Sequence, residues 1–148
     1  GWLTFSNNDV IEYEEVIKWF IDMRDEHGLN IIEVGYDRQY SSEFVFGMEE
    51  NGFKMRDVRQ VYWNKSRGFR EIERRVKQKQ LYYLHSEAFE YCVENVKAME
   101  DAEDRVRFEK TSDDQKIDLF DAGVMSVVTY LDAKIEEKEK PDALDWFD

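Results

Sequence analysis

Residues 29–36 read LNIIEVGY and are followed at once by Asp37. The run is short, apolar, rich in β-branched residues and free of proline, which predicts a central, buried strand rather than a helix. What lies on either side decides how such a strand is used. Residues 11–26 place Ile11, Val16, Ile17, Phe20 and Ile21 at helical spacing with acids opposite, and Gly28 follows as a stop. Asn8 or Asp9 is the expected cap of that helix, and residues 2–5 before it read as a short strand. After Asp37 a second helix is expected over 42–50, ending at Asn51-Gly52, and then an alternating strand over 53–59. Strands alternating with helices give an α/β layer architecture with a parallel or mixed sheet.

The second half continues with a basic helix over 66–79, a short apolar piece over 81–84, and a helix through Val96 capped by Ser86. Residues 97–109 form the pattern of a hairpin around Asp101-Ala102-Glu103-Asp104, which favours a mixed sheet. A last helix is expected over 114–135, with Ile117, Phe120, Val124, Val127, Val128 and Leu131 on one stripe. An acidic tail, 137–148, closes the chain with Trp146-Phe147-Asp148. There are no internal repeats, and residues 1–136 read as one domain.

With 148 residues, 42% of them hydrophobic, the chain has ample material for one core and little room for two. No stretch approaches ~18 consecutive apolar residues, and Gly1-Trp2-Leu3 lacks both the basic start and the apolar core of a signal peptide. A single cysteine, Cys92, excludes an internal disulfide framework and Cys-based zinc fingers, and its apolar neighbours predict burial. The expectation is a soluble intracellular domain with no membrane partner. Net charge is −13, against a free-standing nucleic-acid binder. The charge is uneven, however: residues 65–79 carry seven cations and two acids, a net +5, leaving −18 for the rest. That segment has two readings, a solvated face balancing an acidic protein, or a surface that tracks phosphates or docks an acidic partner. Arg59-Gln60 and the aromatic-polar Tyr62-Trp63-Asn64-Lys65 just before it favour the second.

Candidate chemistry rests on carboxylates. In open α/β sheets ligands gather at the carboxyl ends of strands, where Asp37 falls; the plainer role for Asp37 is to cap the turn it opens. Asp118, in Lys116-Ile117-Asp118, lies in the first turns of the last helix, and Asp121 stands one turn on, at i+3, on nearly the same face. Acids in a first helical turn are favoured by the dipole in any case, but the apolar neighbours of Asp118 should press that turn against the sheet. Carboxylates converging from distant positions suit Mg²⁺ or Mn²⁺, and two such ions hydrolyse phosphodiesters. There is no GxxxxGK[ST] or GxGxxG loop, so nucleotide hydrolysis and dinucleotide binding are not expected. His27 reads as a helix end and His85 adjoins a cap; Trp2, Trp19, Trp63 and most tyrosines read as core rather than a base-stacking platform.

The order of the segments GWLTFSNNDVIEYEEV, IIEVGYDRQYSSEFVFGMEENGFKMRDVRQ, FREIERRVKQKQLYYLHSEAFEYCVENV and RFEKTSDDQKIDLFDAGVMSVVTYL resembles the nuclease domain of the large terminase subunit of tailed bacteriophages, in its HK97-like branch, over about residues 2–132. The elements that carry the likeness are Tyr36-Asp37, the Gly52 to Gln60 strand, Leu81, His85 and Asn95, and Lys110 before Lys116-Ile117-Asp118. The resemblance implies an RNase H-like fold and two-metal cutting of concatemeric double-stranded DNA during packaging in the host bacterial cytoplasm. By it, Asp37 matches the second acidic ligand and Asp118 the third, with Asp121 auxiliary. Lys65, Arg67, Arg70, Arg74, Arg75 and Lys110 would meet DNA. The packaging ATPase domain, the small subunit and the portal would be partners. The family's first catalytic aspartate sits on a strand upstream of GWLTFS, so the expectation is a fragment, N-terminally truncated and weak or inactive alone. The edge left at residues 2–5 could then pair with another copy. Two other readings remain open: another RNase H-like nuclease such as a junction resolvase, and a non-catalytic interaction module docking through 65–79 or the tail. Carboxylates of Asp37 and Asp118 within ~5–8 Å would favour a shared two-ion site.

Overall fold

The computed structural model describes residue 6 and residues 10–39 and 42–139. The expected strand at 2–5 and the tail beyond Glu139 lie outside those residues, and the first helix is not capped by Asn8 or Asp9: its N-cap position is Glu12, which makes no side-chain cap bond. Helix α1 (Tyr13–Asp25) follows the apolar stripe and stops before Gly28, where Leu29 N–H closes back on Met23 O at 3.0 Å. Helix α2 (Ser42–Glu50) has the expected bounds. Its Met48 is fully buried beside Phe53, onto which Phe20 of α1 packs edge-on at 5.9 Å.

Strands β1 (Val34–Tyr36) and β2 (Met55–Asp57) pair in parallel, Val34 opposite Met55 and Tyr36 opposite Asp57. One bond at each end extends the ladder: Val34 N–H to Lys54 O at 2.8 Å and Val58 N–H to Tyr36 O at 2.9 Å. The strand expected over 29–36 is therefore only three residues of ladder, and it is half-buried, with Ile32 exposed. A strand exists only where a neighbour supplies hydrogen bonds, and β2 spans three residues. The hairpin forms as expected from β3 (Val96–Glu100) and β4 (Val106–Lys110). Asp101 ties its turn by accepting from the N–H groups of Glu103 and Arg105 at 2.9 and 3.0 Å. Both pairings belong to an α/β fold, but among the described residues they form two separate two-stranded sheets.

Helix α3 (Tyr62–Lys77) carries the basic run, α4 (Glu87–Glu94) is capped by Ser86 Oγ accepting from Phe89 N–H at 3.3 Å, and α5 (Asp118–Glu139) closes the described chain. Phe120, Val124 and Val128 of the predicted stripe are buried, Phe120 and Val124 clustering with Cys92 among Phe69, Ile72, Val96 and Phe108. Rings 69, 108 and 120 pack on one another with centroids 5.3–6.0 Å apart. Glycine allows α3 to approach α5 closely: a Cβ on Gly68 would stand 2.7 Å from Val124 O. Trp19 and Trp63, expected in the core, are about half exposed, and Tyr82 is almost fully so. The buried hydrophobic core is filled instead by phenylalanines and valines with Met48 and Cys92, which have no strong hydrogen-bonding group to satisfy. No described helix is long and apolar enough to cross a membrane.

Candidate active site

Because β1 and β2 are parallel, their carboxyl ends leave the sheet on the same side. Helix α5 crosses that sheet closely enough that a Cβ on Gly35 would lie 2.2 Å from Thr129 Oγ1 and 3.0 Å from Val58 Cγ2. The amino ends of the strands face the C-terminal part of α5. There Glu33, almost completely buried, accepts from Lys54 Nζ at 2.9 Å and Arg56 Nε at 2.8 Å, and Arg56 reaches on to Glu136 at 2.9 Å. The two cations hold the Glu33 carboxyl below the usual range against the opposing cost of its burial. With Glu33 at that end and Gly35 on Thr129, β1 runs antiparallel to α5, and its carboxyl end is directed at the N-terminal half of the helix. The end of β2 goes the same way: Gln60 Nε2 contacts Met125 Sδ at 3.5 Å, one turn from Asp121.

Asp37 stands just past β1, exposed, its Oδ1 accepting from Gln39 N–H at 3.1 Å. That is the turn-capping role weighed from the sequence, and it leaves the second oxygen outward. Asp118 is the first residue of α5, also exposed, where unpaired helix N–H groups favour an anion. Asp121 is different: its Oδ2 is bonded to Lys65 Nζ of α3 at 2.7 Å, while its Oδ1 is buried with no hydrogen-bond partner among the described residues. Asp121 thus ties two helices together. Asp37 and Asp118 thus follow or open elements that pack on each other, β1 and α5. Yet among the described residues no three Asp, Glu, His or Cys side chains form a group able to hold a metal.

The six predicted DNA-contacting cations are all engaged within the fold. Lys65 holds Asp121; Arg67 bonds Asp132 Oδ1 and Asn64 Oδ1 at 2.8 and 3.1 Å. Arg70 bonds Glu73 at 2.8 Å, Asp104 O at 2.8 Å, and Glu100. Arg74 and Arg75 share Glu71 at 2.7 Å each, and Lys110 donates to Asp113 O at 2.8 Å. Hydrogen bonds from Arg74 and then Arg75 hold the Glu71 carboxyl down at about 2. Asp121, Asp132 and Glu100 reach α3 from other elements, so no sequence window around 65–79 showed them. Arg67, Arg70 and Arg74 nevertheless line one groove of about 450 Å³ between α3 and α5, with Glu71 beside them and Leu131, Lys134 and Lys138 from α5. Arg59, exposed after β2, has no ion-pair partner among the described residues. The sequence reading named it only as a neighbour of the basic helix. Asn95, quoted there as part of a family likeness, is buried and bonds Lys116 O just ahead of Asp118.

Comparison with known proteins gives two findings. A family model described as the endonuclease domain of the terminase large subunit matches residues 1–134. Among solved structures, the crystal structure of the HK97 bacteriophage large terminase matches with a TM-score of 0.67 at 16% identity, over 80% of this chain and 25% of that one. At that identity the likeness shows the fold, and the chain spans a quarter of that terminase. No curated protein matches.

Proposed function

This chain belongs to the endonuclease-domain family of large terminase subunits, and from that premise we propose that it is a Mg²⁺- or Mn²⁺-dependent nuclease domain that hydrolyses phosphodiesters of double-stranded DNA during phage DNA packaging. The observation that carries the reading is the direction of β1. Two acids 81 positions apart, Asp37 and Asp118, stand on elements packed directly on each other, and the end of one strand points at the half of the helix that bears the other acid.

The donors suit the ion in kind, because Mg²⁺ and Mn²⁺ take oxygen ligands and retain waters. They fall short in number: a pair of ions draws on more carboxylates than the described residues bring together. Asp37 and Asp118 are the residues that would hold an ion, and Asp121, committed to Lys65, is at most auxiliary. A bound ion would supply an activated water and charge stabilisation for the leaving oxygen. What the chain itself contributes is orientation. The Gln39 N–H bond fixes one oxygen of Asp37 so that the other faces outward. The first turn of α5 presents Asp118 to solvent. The α3–α5 groove supplies Arg67, Arg70 and Arg74 to phosphates, with Arg74 the most exposed of the three and Lys110 comparably open. The ATPase domain, small subunit and portal are the partners this reading assigns.

The experiment is a Mn²⁺ titration of the chain beside Asp37→Asn and Asp118→Asn. Saturable binding that weakens in both variants supports a shared site, and binding indifferent to both refutes it. A non-catalytic docking role is favoured by one observation, the exposed run Tyr82, Tyr83 and Leu84. Indifferent Mn²⁺ binding would leave that reading in front.

A further inference from the structure

The two long sides of α5 meet different surroundings. At about 100° per residue, Thr129, on which Gly35 of β1 packs, stands roughly 20° around the axis from Asp118, so β1 and both acids share one side of the helix. Lys134 and Lys138 stand roughly 160° and 200° around it, and about 24 and 30 Å further along at ~1.5 Å per residue. They line the α3–α5 groove together with Arg67, Arg70 and Arg74. The charge there is not neutralised within the fold. Arg67 is matched by Asp132, and Arg70 by Glu73 and Glu100, but Arg74 and Arg75 share the one carboxylate of Glu71. Lys134 and Lys138 are exposed and make no ion pair among the described residues, Lys134 resting over the Tyr130 ring at 4.9 Å.

A cation already bonded to a carboxylate brings that acid's charge to any phosphate it approaches, whereas a free ammonium displaces a counterion of the duplex outright. Lysines near a helix C-terminus suit its dipole, but the dipole gives no reason for cations of a second helix to share their groove. We propose that the α3–α5 groove is a second binding site for double-stranded DNA, in which Lys134 and Lys138 hold backbone phosphates of duplex that is not at the carboxylates. The proposal rests on the DNA reading above, but it needs no metal. Such a site retains the duplex independently of the cut.

The test uses the whole chain and a short DNA duplex in EDTA, so that no divalent ion takes part. Affinity is measured across salt for the wild type, Lys134→Gln with Lys138→Gln, Lys134→Arg with Lys138→Arg, and Lys97→Gln, with circular dichroism confirming that each is folded. The glutamine pair should lower the log–log salt slope by up to about 2, and the arginine pair should keep it. Lys97, exposed on β3 and outside the groove, loses the same charge per residue and should leave the slope unchanged. In the wild type, amide NMR shifts on adding the duplex should gather in 67–74 and 131–138 and spare 37–39 and 118–121. Shifts at 37–39 and 118–121 with none in the groove, or a slope that the glutamine pair leaves unchanged, would overturn the second site while the nuclease reading stands. A chain that binds no duplex at any salt takes the DNA reading down together with this proposal.

Discussion

Replacing Gly68 by alanine sets a local gain against a tertiary cost, and the structure says which wins. In a helix interior alanine is better than glycine by about 1 kcal/mol. At Gly68, however, the new Cβ would stand 2.7 Å from Val124 O, 2.8 Å from Val124 Cγ1 and 2.9 Å from Val128 Cγ2. The nearest atom is backbone and the other two belong to β-branched side chains with little rotamer freedom, so α3 and α5 must separate. Overpacking of this kind costs about 1–3 kcal/mol, and here it sits where fully buried Val124 and Val128 meet α3. Set against the helical gain, the net loss reaches up to about 2 kcal/mol, which would lower Tm by up to about 4–8 °C in a chain of this size. Gly123, on α5 itself, is the internal control: its Cβ would meet nothing nearer than Phe89 Cε2 at 4.0 Å. Gly123→Ala should therefore stabilise by up to about 1 kcal/mol. Thermal and urea unfolding followed by circular dichroism read both signs. A Gly68→Ala chain stabilised as much as Gly123→Ala would refute the close packing of α3 on α5.

Other outcomes follow from the charged groups. Glu33 is held below the usual carboxylate range by Arg56 and Lys54 despite its burial, so its contribution is complete above the unfolded value and is lost as pH falls through the lowered folded one. Arg56→Leu should cost about 2–3 kcal/mol near neutrality, because it strips a buried carboxylate of one of two partners, and the loss should shrink in urea titrations at acid pH. An undiminished loss at acid pH would sever it from the Glu33 charge. Neutralising Arg74 and Arg75 together should weaken double-stranded DNA binding and reduce the steepness of its salt dependence by up to about 2 in log–log slope. Unchanged affinity across salt would mean that their pairing to Glu71 is their whole role.

Everything legible in the sequence was local. The bounds of α2, the Ser86 cap, the hairpin about Asp101 and the burial of Cys92 each follow from signals a few residues long: apolar spacing, a side-chain oxygen before a helix, an acid at a turn. The placement of Asp37 after a strand and of Asp118 within the first turns of the last helix was readable for the same reason, although that helix starts at Asp118 and not at the expected 114. Tertiary structure decided the rest. The length of β1 depended on how much partner β2 offers. The charge of residues 65–79 was settled in part by Glu71 and Glu73 within the segment and in part by acids up to 65 positions away, since an ion pair forms where elements pack. Asp121 reads like Asp118 in sequence, yet one is bonded to Lys65 and the other faces solvent, because a 100° step per residue turns neighbours on one helix to different surroundings. Periodicity shows which residues share a face, and only packing shows what that face meets.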